Sequence, residues 1–302
     1  MLETELAGIK LENPTVLSSG ILGTSASIIK RVADSGAGAL TLKSIGPKPR
    51  EGHNNPTVLA YESGLINAVG LSSPGYKNME EEWEQLKQIK KPIIASVYGG
   101  SIEEFVEVTE FVADKKPSMI ELNISCPNSK KHGQLFGFDP EIAGEVVSKT
   151  KDVCGKVPLM PKLTPNTPKL KQIAKACEKS GADAISAINT VGPGMLIDVY
   201  TGKPILHFKT GGLSGPAIRP IAVRCVYDIR SSTSLPILGI GGIVDGKDAI
   251  EMMMAGASAI GIGSGVYYRG TEVFGDVCFE IEEFMKSEGY SSIKQLVGKA
   301  HE

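Results

Sequence analysis

Pro236-Ile237-Leu238-Gly239-Ile240-Gly241-Gly242-Ile243, a helically spaced segment Lys247–Ala255, and Ala259-Ile260-Gly261-Ile262-Gly263-Ser264-Gly265 follow one another directly in this sequence. Both apolar runs are continuous rather than alternating, as strands buried on both faces of a parallel sheet are. The helix between them is the crossover that a parallel pair requires. Working outward, the same kind of run recurs at Pro14–Gly20, Ala39–Ser44, Pro92–Val97, Met119–Ile124, Pro158–Leu163 and Ala184–Asn189. Together with Pro236–Ile240 and Ala259–Gly263 the count is eight strands. Helical spacing appears at Met79–Lys90, Ser101–Lys115, Pro140–Val153, Pro168–Ser180 and Pro220–Ser231 as well. At Ser101–Lys115 the spacing puts Phe105, Val108 and Val112 on one face, with Ser101 as N-cap and Glu104 completing a capping box. Alternating strands and helices in this number predict an α/β fold, a single (β/α)8 TIM barrel spanning 1–302, rather than an open doubly wound sheet. Three stretches exceed an ordinary strand-to-helix loop: Ile45–Tyr76, Ser125–Asp139 and Val191–Pro216, after strands 2, 4 and 6. In a barrel they all fall on the C-terminal face, where active sites sit.

Composition narrows the class of function. Lys and Arg number 32 against 34 Asp and Glu in 302 residues, a net charge of −2 with no basic excess for nucleic acid. Five Cys without a CxxC pair make neither a disulfide framework nor a zinc site, and point to the reducing cytoplasm. The segment Met1–Leu11 has no apolar signal-peptide core, and the uncharged Met252–Tyr268 carries four Gly, so it reads as a helix end running into a strand and not as a membrane span.

Polar residues end the strands where an apolar core would not place them. Strand 2 ends at Lys43-Ser44, strand 4 at Asn123-Ile124-Ser125-Cys126-Pro127-Asn128, strand 5 at Lys162 and strand 6 at Asn189-Thr190. Two lysines and two asparagines converging on one barrel mouth suit a planar anion that hydrogen-bonds. The glycine runs after strands 7 and 8 let backbone N–H groups approach a phosphate, and neither completes a dinucleotide fingerprint. They point to a phosphate-bearing cofactor such as FMN. Cys154, Cys177, Cys225 and Cys278 read as buried small hydrophobes. Cys126 differs, lying past a strand end in a loop with Asn, Lys and His132, where a thiol becomes reactive. The four His show no metal spacing and no paired carboxylates stand at strand ends, so no metal site is expected.

These residues carry a resemblance. Lys43-Ser44, Asn67-Ala68-Val69-Gly70-Leu71, Asn123 to Asn128, Pro161-Lys162-Leu163-Thr164-Pro165, Asn189-Thr190, Gly211-Gly212-Leu213-Ser214-Gly215 and both late glycine runs resemble, in order, the dihydroorotate dehydrogenases. The resemblance implies oxidation of dihydroorotate to orotate in pyrimidine biosynthesis, with Cys126 as the base at C5 while hydride passes from C6 to FMN. It implies FMN contacts at Ser19, Lys43, Ser44, Asn123, Lys162, Ile188, Gly215, Gly241, Gly242, Gly263 and Ser264. Substrate contacts follow at Lys43, Asn67, Ala68, Val69, Gly70, Leu71, Asn123, Asn128, Asn189 and Thr190. The residues 129–138 would close over the ring. A Cys rather than a Ser as base, with no N-terminal extension, marks the soluble classes. The Asn67–Leu71 segment is closest to the NAD-linked (class 1B) catalytic subunit, whose partner subunit carries FAD and an iron–sulfur cluster, and a homodimer of this chain is implied. Ser96 stands where many members have Asn, and Ser72-Ser73 replaces a more usual Gln-Asn. The rival readings are a dihydropyrimidine dehydrogenase-type flavin subunit, which more often has His where Asn128 stands, and a non-redox phosphate-binding barrel.

Overall fold

Eight short parallel strands close on themselves in sequence order: β1 (Thr15–Leu17), β2 (Ala39–Thr41), β3 (Ile93–Val97), β4 (Met119–Leu122), β5 (Leu159–Leu163), β6 (Ile185–Ala187), β7 (Ile237–Ile240) and β8 (Ala259–Ile262). The computed structural model describes residues 1–125 and 136–302. Each of the eight lies inside one of the apolar runs of the sequence, and nearly every residue in them is buried. Alternation explains why. Met119 faces the barrel interior with Ile94, Met160, Leu238 and Ala259, while Ile120 and Leu122 face outward into the larger core under the helices.

That outer layer is built by α1 (Ala26–Asp34), α2 (Glu80–Leu86), α3 (Ile102–Asp114), α4 (Pro140–Val153), α5 (Leu170–Lys179), α6 (Arg219–Arg230), α7 (Gly246–Met254), the short α8 (Gly265–Arg269) and α9 (Val273–Glu288). Start signals are local. Asp139 caps α4 just ahead of Pro140, and Asp245 with Asp248 forms a reciprocal capping box on α7. Ser101 caps α3 through the Glu104 N–H at 3.3 Å, as expected. The expected box there is corrected by one residue: the Glu104 carboxylate accepts from the Gly100 N–H at 2.7 Å, because the chain turns back before the cap.

Two features beyond the strand–helix alternation shape the ends of the barrel. A hairpin of Thr4–Leu6 and Ile9–Leu11 sets Leu6 and Leu11 into the inner apolar cluster and stops the N-terminal end. At the other end, the long stretches after β2 and β6 are not plain loops. They pair into one antiparallel sheet, in the order Val191–Gly194, Gly211–Ser214, Gly64–Asn67, Val58–Tyr61. A side chain at Gly64 would strike the Ser214 carbonyl at 2.3 Å, so this close approach requires glycine. Most of the third stretch, after β4, lies outside the described residues.

Cys154, Cys177 and Cys225 are buried, and burial pushes the thiols of Cys154 and Cys177 up to about 12. Cys278 departs from expectation: it is only half-buried on α9, its Sγ 3.9 Å from the Thr15 hydroxyl. Among the described residues no helix is long and apolar enough to cross a membrane.

Candidate active site

Inward-facing positions change character toward the C-terminal end. On β4, Met119 is followed two residues on by Glu121 and then Asn123; on β5, Met160 by Lys162; at β6, Ala184 by Ser186. The pleat that fills the lower barrel with apolar side chains therefore presents polar ones at its mouth.

A chain of hydrogen bonds crosses this mouth from β3 to the end of β6. The Ser44 and Ser96 hydroxyls lie 2.9 Å apart, the Asn123 amide donates to Ser44 Oγ at 3.2 Å, and Ser125 Oγ donates to Asn123 Oδ1 at 2.9 Å. Asn189 donates to Ser125 Oγ, and its own Oδ1 accepts from the Thr190 N–H at 2.8 Å. Each asparagine thus spends one N–H and one lone pair on the network and keeps one of each. Asn166 steadies the far end, donating to the Thr190 carbonyl at 3.1 Å and accepting from the Gly192 N–H at 3.0 Å.

Two lysines flank the network. Lys162 is 4% exposed, and its Nζ donates to Ser19 Oγ at 3.0 Å and lies 3.8 Å from Glu121 Oε2. Lys43 is half-buried, and its ammonium has no acceptor among the described residues. Burial holds its pKa below the usual lysine range. It lines a cavity of about 170 Å3 with Gly23, Thr24, Ser44, Ser72 and Ser73.

The stretch after β2 reaches the same place. Asn67 donates to the Gly212 carbonyl at 3.4 Å, and Thr190 packs so closely on Gly212 that a Cβ there would lie 2.1 Å from its hydroxyl. Gly70 and Leu71 both have left-handed backbone, at φ +81° and +55°, and neither N–H meets a backbone carbonyl among the described residues. A leucine held in that conformation is a strained residue of the kind found at ligand sites. The Tyr98 hydroxyl secures it by donating to the Leu71 carbonyl at 3.0 Å. Ala68 and Val69, named with them from the sequence, are instead occupied within the loop: Ala68 binds Thr57 and the His53 ring, and the Val69 carbonyl takes the His53 N–H.

The late glycines divide into two kinds. Gly241 and Gly242 have φ of +140° and +76°, and side chains there would meet Ala222 Cβ at 2.5 Å and Arg219 Cβ at 2.7 Å, so internal packing alone demands glycine. Gly215 likewise has φ +92°, and a Cβ there would lie 2.9 Å from Gly64 Cα. Gly263 is different. Its φ is ordinary and a Cβ would find only Ser18 Cβ at 3.6 Å, so nothing inside the protein requires glycine. The N–H groups of Gly242, Gly263 and Ser264 reach no backbone carbonyl among the described residues. Ile188 is buried beside them, its N–H held by the Ile240 carbonyl at 2.9 Å. Of the residues expected at the site, Cys126 and Asn128 lie outside the described ones.

Sequence reasoning passes over Glu121, Ser125, Asn166 and Ser186 as site residues. For Glu121 the signal is present: it is the lone carboxylate inside the apolar run Met119–Ile124. For the others the role depends on partners far along the chain and leaves no local mark.

The family model for dihydroorotate dehydrogenase matches residues 1–285. The chain belongs to the dihydroorotate dehydrogenase family. Among its relatives is the protein named dihydroorotate dehydrogenase B (NAD(+)), catalytic subunit, from Methanothermobacter thermautotrophicus, 46% identical with 100% of this chain and 99% of the relative covered. Proteins of the same name from Methanocaldococcus jannaschii, 46% identical over 100% of this chain and 99% of the relative, and from Pyrococcus abyssi, 45% identical over 99% of each, are equally extensive matches.

Proposed function

We propose that this chain oxidises dihydroorotate to orotate in pyrimidine biosynthesis, with FMN seated in the C-terminal mouth of the barrel and residues 1–302 acting as one domain. The observation that carries the reading is the hydrogen-bonded set Ser44, Asn123, Ser125 and Asn189 between Lys43 and Lys162, in a chain of this family. FMN fits the residues present. Gly263 keeps open a space that nothing internal requires, beside the unengaged N–H groups of Gly242, Gly263 and Ser264, which suits a phosphate. Lys162 and Asn123 supply a cation and an amide for the polar edge of a flavin. When bound, FMN supplies a two-electron acceptor that side chains do not provide.

The chain's own residues do the rest. Lys43 is a poorly solvated cation without an acceptor among the described residues, so an anionic carboxylate gains more there than at a hydrated surface lysine. Asn123 and Asn189 offer one N–H and one lone pair each to a ring whose edge alternates N–H and C=O, and Gly70 and Leu71 add backbone N–H groups. Dihydroorotate loses its C5 proton, and from C6 a hydrogen with two electrons, leaving the C5=C6 double bond. Cys126 receives the proton at Sγ as its thiolate.

The same reading includes a second protein. The relatives are named catalytic subunits of NAD(+)-linked enzymes, which supports a partner subunit here. In this proposal the partner carries FAD and an iron–sulfur cluster and passes electrons to NAD, two copies of this chain stand at the centre, and the location is cytoplasmic. Exposed Ile197, Val199 and Tyr200, beside the antiparallel sheet, are consistent with a surface that meets another protein. The test is purification with cofactor release, followed by assay with an artificial acceptor. FMN in the released fraction and orotate from dihydroorotate, with none of the corresponding product from dihydrouracil, support the proposal. A colourless protein, or turnover of dihydrouracil alone, overturns it.

A further inference from the structure

We infer that Glu121 is a positioning residue for Lys162, and that its carboxylate offsets the lysine's charge and so sets how readily the bound flavin is reduced. The inference rests on the FMN reading above. Glu121 projects into the barrel from β4 and is fully buried, at 0% exposure. Its Oε2 accepts from Ser186 Oγ on β6 at 3.0 Å and lies 3.8 Å from Lys162 Nζ on β5, while Oε1 has no partner among the described residues.

A structural role alone does not account for this arrangement. One layer lower, the same three strands meet through Met119, Met160 and Ala184, an apolar packing without unpaired atoms. Burying a carboxylate costs several kcal/mol even beside a cation, and an apolar replacement of similar volume is often neutral or stabilising. A chain that fills the lower layer with apolar residues and the upper with Glu121, Lys162 and Ser186 places charge there for a use.

The geometry indicates the use. At 3.8 Å the carboxylate is beyond hydrogen-bond distance and acts on Lys162 through charge, unscreened because both side chains are 5% exposed or less. Of the three ammonium donors, one goes to Ser19 and the other two meet no acceptor within hydrogen-bond reach among the described residues. Ser19 and Glu121 thus hold the lysine from two sides, with donors left for a ligand at the mouth. The reduced flavin gains negative charge, which Lys162 favours and Glu121, one shell farther down, opposes.

Glu121→Gln keeps the shape and the acceptor for Ser186 and removes only the charge. The measurement is the midpoint potential of the bound flavin by equilibrium dye titration. The expected result is a shift of the reduction equilibrium toward reduced flavin by about tenfold, or about 30 mV upward for a two-electron couple. Glu121→Asp keeps the charge and withdraws it by one methylene, so it should move the potential the same way by less, and it serves if the glutamine variant does not fold. An unchanged or lowered potential in either folded variant overturns the inference, since loss of packing alone lowers flavin content without raising the potential. Wild-type protein that purifies without flavin contradicts the FMN reading instead, which keeps the two failures apart.

Discussion

Ser125→Ala tests whether the asparagines at the barrel mouth are oriented in advance. The hydroxyl donates to Asn123 Oδ1 at 2.9 Å and accepts from Asn189, so its removal leaves one acceptor and one donor without their partner. Asn123 is only 8% exposed and Ser125 3%, so water replaces these bonds poorly. A net hydrogen bond contributes about 0.5–1.5 kcal/mol, so two lost bonds should destabilise the fold by roughly 1–3 kcal/mol. The effect on the site is separate. Freed amides of Asn123 and Asn189 can rotate, and restoring them on binding should cost about 1.4 kcal/mol, a tenfold weaker orotate affinity. Denaturant unfolding reads the first quantity, and titration of the flavin spectrum with orotate reads the second. Equal orotate affinity in the variant and the wild type, with flavin bound in both, refutes the reasoning.

Gly242→Ala places a side chain at φ +76° against Arg219 Cβ at 2.7 Å and the Gly215 carbonyl at 2.8 Å, and should lower stability by on the order of 1–3 kcal/mol in thermal unfolding. Gly263→Val should instead unfold near the wild-type temperature and lose FMN, because its Cβ meets only Ser18, at an ordinary 3.6 Å, and it is the cofactor's approach that is blocked. Burial lowers the Lys43 pKa, so its charge is present below that lowered value and is lost as pH rises through it. Orotate affinity should therefore fall on the alkaline side earlier than an ordinary lysine would allow, and Lys43→Met should remove that limb of the titration. Cys126→Ala should slow flavin reduction by dihydroorotate by about 10²–10⁴-fold in stopped flow, leaving FMN content and orotate binding near normal.

Why the barrel itself is legible follows from burial. Strands covered on both faces are largely apolar, so Ile237–Ile240 and Ala259–Ile262 stand out of the sequence without any partner being known. The antiparallel sheet over the mouth leaves no such trace. Its strands Val191–Gly194 and Gly211–Ser214 are rich in Gly and contain Pro193, and they are strands because they pair with each other and because Gly211–Ser214 pairs with Gly64–Asn67 far away in the chain. The N-terminal hairpin has strands of three residues, too short for alternation to register. Helix α9 is a different case: Val273, Phe274, Val277, Ile281 and Met285 have the helical spacing, and the reading passes over them. At the site, residue type and position at a strand end identify Lys43, Asn123, Lys162 and Asn189. Ser125 acts through Asn123 and Asn189, which no local pattern reports, and Glu121 shows only as a lone carboxylate in an apolar run, its partner Lys162 lying on another strand.

The most direct test of the central claim is anaerobic mixing of the purified chain with dihydroorotate while the visible flavin band is followed. The expected result is bleaching of the bound flavin with formation of one orotate per flavin reduced, without NAD or any other protein present. A flavin that stays oxidised with dihydroorotate, yet bleaches with dithionite, contradicts the claim.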